Sequence, residues 1–447
     1  MDSSPSPHQF ESLNQEDKAE STAGEGVESS RLASPPTSLL DLPDELLASV
    51  FDQVWESLRP KQNDERVGIL VPLSHILVNK RIFAVARPLW FRHLTTPDDY
   101  DDHDRFLSNL LRRRDLHPLV HSLHTEYPDQ FPALHSSVIG LLSNLSSLFI
   151  SFENSAGDND AVDYLPTCLT DMLRTLNKLQ RLRVIAWAGL ENEDFHVVRN
   201  LNSLQHLDID GLDMPPDLLS GGASQLTMLT IRSSILPVVP WASLKRLALR
   251  PYAGEIYAPD QLIESLEAVG QNQLPLQHLV LAFSGTFETD EESFAFHRGR
   301  FAKILELLQQ AHLERLDLAD VYELKWEAAV IRVPSLKVLS LKGVLLIHGK
   351  NDLAHLNNFL SMFPCLRALH LEGFTFTPGP ARAASALSSL SPVSLAIEFP
   401  HLFSLLFLLR STKVLEFRLR GYGEAREVRW TRNEETEEFA RECWTLE

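Results

Sequence analysis

Three histidines stand close together in the sequence, and imidazole is a common ligand of transition metals. His117, His121 and His124 would share one face if this segment were a helix. His121 and His124 also fall within VHSLHT (120–125), which matches a repeated strand pattern described below. On a strand, side chains three residues apart point to opposite faces. We therefore favour a structural role for these histidines over a metal site.

Two further segments have the composition of ligand-binding loops. TTPDDYDDHD (95–104) carries five aspartates but lacks the glycine and the terminal glutamate of a calcium-binding EF-hand loop, so we interpret it as a solvated acidic linker. GVLLIHGK (343–350) is similar to a phosphate-binding loop. However, five residues separate its glycines instead of four, and Asn351 replaces the Ser or Thr that would hold magnesium. It also starts at the end of a repeat strand, so we expect no nucleotide site.

No motif of a common enzyme class is present: HExxH, GxSxG and GxGxxG do not occur. A hidden catalytic site would have to lie in the long interruptions of the repeat pattern, 251–275 or 282–312. These segments lack convergent patterns of Cys, His or carboxylate residues. We therefore predict a non-enzymatic protein without catalytic residues, cofactors or metals.

Composition narrows the function classes further. The net charge of −19 argues against non-specific nucleic-acid binding, which needs Lys and Arg to displace counterions. Cys168, Cys365 and Cys443 form no CxxC pair, which gives no disulfide framework and fits a reducing compartment. The start, MDSSPSPHQF, lacks the basic and apolar regions of a secretory signal, and no apolar run reaches the ~18 residues of a membrane span. We expect a cytoplasmic or nuclear protein with no membrane or nucleic-acid partner.

A repeated pattern, L-x-x-L-x-L/I, dominates residues 119–420. Its clear copies are LSSLFI (145–150), LQRLRV (179–184), LQHLDI (204–209), LTMLTI (226–231), LKRLAL (244–249), LQHLVL (276–281), LERLDL (313–318), LKVLSL (336–341) and LRALHL (366–371). Degenerate copies are VHSLHT (120–125), VLEFRL (414–419) and the weaker PVSLAI (392–397). Helical spacing of apolar residues recurs between copies, in DQLIESLEAV (260–269), RFAKILELLQQ (300–310) and DLAHLNNFLSMF (352–363). PHLFSLLFLLR (400–410) also predicts a buried helix.

Each unit is thus a short strand followed by a helix or turn, and it can bury its apolar face only against its neighbours. The pattern resembles the leucine-rich repeat family. The resemblance implies an α/β solenoid with parallel strands on the concave face and helices on the convex face. The family usually places Asn or Cys in the turn after the strand, where this sequence has Leu212, Val321, Val344 and Phe374. The repeats are therefore irregular, which leaves their number, turns and curvature open.

Alternating residues of the repeat strands should form a solvent-facing ladder, because the leucines point inward. We predict that this ladder binds a protein substrate. The candidates are His206, Asp208, Asp210, Arg246, Arg250, Arg315, Asp317, Ser340, Lys342, His370 and Glu372, with Ala248, Ala319, Val338 and Ala368 between them. The surface is mixed in charge and short of aromatics, which favours a polar protein or peptide partner. The alternative is that these are ordinary solvated strand residues.

The segment before the repeats has a helical pattern. In LPDELLASVF (42–51), Pro43 suits the first helical position, and Asp44 and Glu45 favour the positive end of the helix dipole. The apolar face that follows is wider than one coiled-coil seam, so the helix should pack against two different surfaces. LVNKRIFAVARPLWFRHL (77–94) continues with apolar stripes that Pro88 should end.

Together, LPDELLASVF and LVNKRIFAVARPLWFRHL resemble an F-box, since both halves agree with that family in order and spacing. The connection between the halves, which includes KQNDERVGIL (61–70), is longer than usual. The resemblance implies docking on a Skp-family adaptor, which would link the chain to a cullin–RING ubiquitin ligase. The implied adaptor-facing patch consists of Leu42, Pro43, Leu46, Leu47, Val50, Phe51, Leu77, Val78, Pro88, Leu89 and Trp90, some of which must be internal core.

The sequence therefore predicts four regions. Residues 1–37, rich in Ser, Pro and Glu, are predicted to be a disordered tail. Residues 38–95 would be a small helical F-box domain, 96–423 the irregular leucine-rich repeats, and 424–447 a charged C-terminal helix or tail. The implied function is the substrate-recognition subunit of an SCF-type ubiquitin ligase. The alternative is a protein-interaction scaffold that acts without ubiquitin transfer.

Overall fold

The computed structural model describes most of the region from Leu42 to Thr445. The described residues are 42–58, 80–97, 100–126, 132–152, 170, 172–186, 197–210, 217–220, 225–233, 235–250, 259–269, 274–282, 291–319, 331–347, 350–376, 402, 405–406, 409, 414–420, 426–432 and 439–445. The predicted tail (1–37) and the weak repeat copy PVSLAI (392–397) lie outside them.

The described part of the chain begins with helices and then alternates strands with helices or turns. The helices are α1 (Asp44–Leu58), α2 (Lys80–Trp90), α3 (Tyr100–Arg112), α4 (Pro132–Leu141), α5 (Pro259–Val269), α6 (Glu291–Leu307) and α7 (Lys350–Leu360). The first strands are β1 (His93–Thr95), β2 (Ser122–Glu126), β3 (Ser147–Phe152), β4 (Arg181–Ala186), β5 (His206–Asp210), β6 (Met228–Arg232) and β7 (Arg246–Arg250). The remaining strands are β8 (His278–Ala282), β9 (Arg315–Ala319), β10 (Val338–Ile347), β11 (Ala368–Phe376), β12 (Glu416–Arg420), β13 (Arg426–Arg432) and β14 (Phe439–Thr445).

Within the described residues, these strands form one 14-stranded sheet in sequence order. Strands β1 to β12 are parallel, and β13 and β14 complete the sheet in antiparallel orientation. All nine clear copies of the repeat pattern lie on strands β3 to β11, and both VHSLHT and VLEFRL also form strands. The predicted mixed α/β solenoid with a parallel sheet is therefore the observed architecture.

The leucines of the pattern build the core, as their spacing predicts. In the β5 repeat, Leu204, Leu207 and Ile209 are all buried, and neighbouring repeats add equivalent residues to one continuous cluster. Helix residues such as Leu262 and Ile304 share that cluster, so the helices cover the leucine side of the sheet. We call the opposite side of the sheet the open face.

Backbone hydrogen bonds join the segments that lead into neighbouring strands. At each repeat, two successive N–H groups donate to one carbonyl of the preceding repeat; for example, Gln205 and His206 both donate to the Gln180 oxygen, at 2.8 and 2.9 Å. Where Val344 and Phe374 stand in place of the family's usual turn asparagine, the strand continues, which gives β10 ten residues and β11 nine. Leu212 and Val321 lie outside the described residues.

Three expectations about local structure in the first third of the chain are wrong. Pro88 does not end α2, which continues to Trp90, because a proline in the last turn removes only one helical hydrogen bond. The acidic linker is partly helix: α3 begins at Tyr100, with Asp101 and Asp102 in its first turn, where carboxylates stabilise the helix dipole. The sheet starts at His93, inside the segment assigned to the F-box.

The C-terminal region, for which a charged helix or tail was predicted, forms the strands β13 and β14. Val428 and Trp430 on β13 are buried, and the Trp430 ring stacks on Phe417 of β12 with centroids 5.1 Å apart. The last parallel strand of a solenoid would otherwise leave core residues open to water, and end units therefore need a capping element. The antiparallel pair β13–β14 follows the last parallel strand and supplies that cap.

Candidate functional site

Registered strand pairing brings the predicted ladder together on the open face. Residues that start each strand form a first row: Arg181, His206, Met228, Arg246, His278 and Arg315. Two residues further along lies a second row: Arg183, Asp208, Thr230, Ala248, Val280 and Asp317. A third row runs through Asp210, Arg232 and Arg250. The second row continues over β10 to β12 as Ser340, His370 and Arg418, and the third row continues there as Lys342, Glu372 and Arg420.

The three aspartates of β5 and β9 are all engaged. Asp208 lies 3.2 Å from Arg183, and Asp210 accepts a hydrogen bond from Arg232 at 2.8 Å. Asp317 lies 2.8 Å from His278 Nε2 and accepts from Arg315 at 2.9 Å. These carboxylates are therefore not free for an incoming ligand.

Burial and pairing set the ionisation of two of these aspartates in opposite directions. Burial raises the pKa of Asp210 even though Arg232 stands beside it. Burial also opposes ionisation of Asp317, but hydrogen bonds from His278 and Arg315 outweigh it and hold the pKa of Asp317 below its ordinary value. Asp317 is thus a fixed negative charge on the open face.

Three arginines on the same face differ from the rest. Among the described residues, no carboxylate lies within ion-pair distance of Arg181, Arg246 or Arg250. By contrast, each of three basic residues on β10 to β12 has a carboxylate neighbour: Lys342 and Arg420 both approach Glu372, at 3.3 and 3.4 Å, and Arg418 pairs with Glu416. The open face therefore has a part with unpaired arginines, on β4 to β9, and a part in which these three cations are paired.

Two predicted ladder positions are less accessible than their alternation implies. Asp210 and Ala248 are buried, because the ladder side chains crowd each other at the third and second rows. Sequence reasoning also missed ladder members, among them Arg183, Arg232 and His278. The signal was present, since they occupy the alternating positions of LQRLRV, LTMLTI and LQHLVL.

The N-terminal helix pair, α1 and α2, buries some residues of the predicted adaptor patch and exposes others. Leu47 is fully buried and belongs to the internal core, as was expected of some members of the patch, whereas the neighbouring Leu46 is 54% exposed. Pro43 and Pro88 are exposed as well. The half-buried members are Leu42, Val50, Phe51, Leu89 and Trp90, while Leu77 and Val78 lie outside the described residues.

Polar contacts join the two helices of this pair. The Arg81 guanidinium donates to the Asp44 carboxylate at 2.8 Å and to the Leu42 carbonyl at 2.6 Å. The Leu47 N–H donates to the Pro43 carbonyl at 2.9 Å, so Pro43 stands just before the helix rather than at its first position. The start of α1 is thus held against α2, and the Leu46 side chain points away from the buried contact.

None of the ligand-binding alternatives gains support. Within the described residues no group of three His, Cys, Asp or Glu side chains could hold a metal, and His117 instead bonds the Leu110 carbonyl at 2.8 Å. Residues 343–347 of GVLLIHGK continue strand β10. No helix in the described part of the chain has the length and apolar character needed to cross a membrane.

A buried polar cluster near the start of the sheet was not predicted. His103 on α3 and His135 on α4 bring their Nε2 atoms to 3.1 Å, and His135 Nε2 lies 2.8 Å from Thr125 Oγ1. All three residues are buried. Their sequence separation, from the loop-like acidic segment to a helix, gave no signal for this contact.

Comparison with known proteins adds little. No family model and no curated protein matches this chain. Among solved structures, a TLR13–ssRNA13 complex is similar at 16% identity and a TM-score of 0.36, over 62% of this chain and 39% of that one. We draw no conclusion about ligand or function from a likeness of this size.

Proposed function

We propose that this chain is the substrate-recognition subunit of an SCF-type cullin–RING ubiquitin ligase. Its N-terminal helix pair would dock a Skp-family adaptor, and the open face of the sheet would bind a protein substrate. The F-box resemblance of 42–51 and 77–94 supports the first part. The ladder of charged side chains on the open face supports the second. The chain would act in the cytoplasm or nucleus.

The exposed Leu46 is the observation that carries the proposal. On α1, Leu47 faces the contact with α2, where Ala86 is also buried, while Leu46 stays in water beside the exposed Pro43. Burying a leucine side chain stabilises an association by about 1.5–3 kcal/mol. A helical unit of this size buries a small core by itself, so a partner that covers Leu46 would stabilise it.

The helix pair is joined closely to the sheet, which suits a receptor that positions its substrate. Helix α2 ends at Trp90 and β1 begins at His93, and the Arg92 carbonyl between them accepts the N–H groups of His121 and Ser122, both at 2.9 Å. Phe91 and Leu94 pack on the sheet core. A bound adaptor and a bound substrate would therefore keep a fixed separation, and orientation of reacting groups accelerates transfer.

An ion pair supports the same junction. Arg87 on α2 pairs with Asp115, which also accepts two hydrogen bonds from Arg113 at 3.0 Å. The hydrogen bonds from Arg113, together with the charges of Arg113 and Arg87, lower the pKa of Asp115 to about 2. Asp115 is therefore ionised at any physiological pH, and the pair persists.

The first test is direct binding to a purified Skp-family adaptor by calorimetry. Leu46→Asp should reduce the affinity at least about 100-fold, because it places a charge in the apolar interface. Leu141→Asp is the matched control, since Leu141 on α4 is 44% exposed and lies outside the patch. It should bind like the wild type. Circular dichroism verifies that both variants fold.

Two outcomes would contradict the proposal. Failure of the folded wild-type chain to bind the adaptor would remove the F-box assignment. Equal loss in Leu46→Asp and Leu141→Asp would show that the effect is not specific to the helix pair. Adaptor binding without ubiquitin transfer in a reconstituted ligase would favour the scaffold alternative instead.

A further inference from the structure

The open face of β4 to β9 is basic, although the whole chain has a net charge of −19. Its described strand residues include six arginines: Arg181, Arg183, Arg232, Arg246, Arg250 and Arg315. They include only three carboxylates: Asp208, Asp210 and Asp317. The local excess of positive charge is opposite in sign to the protein's overall charge.

The three carboxylates pair with three of the six arginines, and the other three arginines have no such partner among the described residues. Arg183, Arg232 and Arg315 each have an aspartate partner, at 3.2, 2.8 and 2.9 Å. Arg181, Arg246 and Arg250 have no carboxylate at ion-pair distance in the described part of the chain. We call these three residues the arginine triad.

Arg246 is the least satisfied member of the triad. Its side chain is half-buried, and its Nε atom is buried without a hydrogen-bond partner. Burial lowers the pKa of Arg246; Asp317 and Asp208 attract its charge from a distance, while Arg315 and Arg250 repel it. The partly buried guanidinium has lost contacts with water without gaining a carboxylate partner among the described residues. An anion that reaches its terminal N–H groups would therefore gain a strong charge-assisted hydrogen bond.

His206 gives a second sign of the local potential. It lies in the first row between Arg181 and Arg246. Burial lowers the pKa of His206, and the charges of Arg181 and Arg246 lower it further. The space above His206 is therefore positive, in agreement with the count of unmatched arginines.

The floor beside the triad is made of small side chains. Ala248, Val280 and Ala282 are buried on β7 and β8, next to Arg246 and Arg250 in the registered sheet. Arginine reaches much further from a sheet than alanine or valine does. Arg246 and Arg250 therefore stand beside small side chains, and Arg181 lies further along the same face, an arrangement that suits an extended backbone with anionic side chains.

We propose that the arginine triad binds an extended acidic segment of the substrate protein, whose anionic groups are carboxylates or phosphates. This inference rests on the proposed function, because it names the substrate class of the same face. Arg181 and Arg246 are three strands apart, ~14 Å, and Arg246 and Arg250 are four residues apart, ~13 Å. An extended peptide rises ~3.3 Å per residue, so anionic groups four residues apart match either spacing.

The charge distribution favours a peptide over RNA. A long polyanion senses the charge of the whole molecule, and the net charge of −19 repels it. A short peptide senses mainly the local field within a screening length of ~8 Å. The triad is therefore suited to a local acidic segment.

The test uses three fluorescent peptides with the same Gly-Ser background. At two positions four residues apart, they carry phosphoserines, glutamates or unmodified serines, respectively. Wild-type protein should bind an acidic peptide, with affinity that falls as salt rises, and should not bind the serine peptide. Arg246→Gln combined with Arg250→Gln should weaken binding about 100-fold, about tenfold for each charged hydrogen bond. Equal binding of both acidic peptides would identify carboxylates as sufficient; preference for phosphoserine would identify a phosphorylated segment.

Arg420→Gln is the matched control. It removes the same charge from the same face, but Arg420 is already paired with Glu372, which Lys342 also approaches. The peptide affinity of this variant should stay within about twofold of the wild type because no unpaired arginine is lost. Equal weakening by Arg420→Gln and by the double variant would overturn the assignment to the triad.

A second measurement does not depend on any variant. Bound peptide should raise the pKa of His206, because an anion offsets the arginine charges that lower it. An NMR titration of the His206 ring measures this change. An unchanged His206 titration at saturating peptide, or tighter binding of a uridine oligonucleotide of equal charge, would overturn the proposal.

Failure of this inference and failure of the proposed function are distinguishable. Leu46→Asp should lose the adaptor and keep the acidic peptide, and the arginine double variant should do the reverse. Peptide binding through the triad without adaptor binding would leave the anion site standing and remove the ligase assignment. Adaptor binding with no triad-dependent peptide binding would remove only the anion site.

Discussion

We expect the buried site of His103 and His135 to make folding sensitive to mild acid. His103 Nδ1 lies 3.2 Å from the Pro97 carbonyl, which can only accept, so Nδ1 carries the proton and Nε2, 3.1 Å from His135 Nε2, does not. Protonation of His103 would place a positive charge in this buried site. Burial lowers the pKa of His103, although the Pro97 hydrogen bond and the charge of Asp104 oppose the shift.

The sign of the pH effect follows from that shift. The unfolded chain binds a proton at pKa 6.5, and the folded chain binds it only at lower pH. The stabilisation is thus complete above pH 6.5 and is lost as pH falls. We expect the free energy of unfolding, measured in denaturant, to fall between pH 7.5 and 5.5 by up to about 1.4 kcal/mol per pH unit from this group.

His103→Gln should flatten that dependence, because glutamine can donate to the Pro97 carbonyl but does not titrate. His312→Gln is the control, since His312 is exposed. The prediction fails if both variants keep the wild-type slope of stability against pH.

At the scale of elements, the bulge shared by β10 and β11 depends on glycine. Gly373 has φ +80°, and a Cβ atom there would lie 2.1 Å from the Gly343 carbonyl oxygen. The strand register shifts between Lys342 and Leu345 at the same place. The neighbour is backbone and cannot move aside like a flexible side chain.

Gly373→Ala should therefore destabilise the protein by at least about 2 kcal/mol, from the left-handed backbone and the overlap together. Gly299→Ala on α6 should have the opposite sign and stabilise by about 0.5–1 kcal/mol, because a Cβ there meets nothing and alanine favours a helix. Urea denaturation of both variants measures the two effects. Similar changes in both would show that Gly373 has no special role.

Elements whose apolar residues recur at a regular spacing were predictable from the sequence. Elements that depend on contacts with residues distant in the sequence were not. LQHLDI and its equivalents specify strands, since each copy supplies inward leucines that only a stack of neighbours can bury. Helices α5 and α7 follow from their apolar spacing, and described positions of PHLFSLLFLLR, such as Leu402 and Leu405, are helical and buried. These features need only local pattern and stacking.

The C-terminal cap shows where local pattern fails. Phe439, Cys443 and Trp444 have helical spacing, yet the segment pairs with β13 in the structure. The hydrogen-bonding edge of β12 and the Phe417 ring that Trp430 covers favour strands here, and neither is visible in the segment itself. The basic part of the open face was not predicted for a related reason. Which arginines lack an acidic partner becomes clear only when the contacts of each carboxylate across the strands are known.

At the scale of the whole molecule, the proposed receptor depends on a stiff connection between its two binding surfaces. Helix α2 passes into β1 through Phe91 and Arg92, and backbone bonds such as Thr96 N–H to the His124 carbonyl, at 2.9 Å, fix β1 on the sheet. The two proposed partners would use separate residues: Leu46 on the helix pair and the arginine triad on the sheet. The separation between those surfaces should affect transfer without affecting either affinity.

Insertion of six Gly-Ser residues between Trp90 and Phe91 tests this separation. The insert loses the N–H bonds of Phe91 to the Arg87 carbonyl and of Arg92 to the Leu89 carbonyl, but keeps the bonds of the Arg92 carbonyl at the start of β2 and both binding surfaces. It adds a flexible span of ~13 Å. We expect adaptor and acidic-peptide affinities within about twofold of the wild type, and ubiquitin transfer slower by at least about tenfold, because orientation is lost. The same six residues appended after Glu447 are the control, and unchanged transfer with the internal insert would show that a rigid junction is not required.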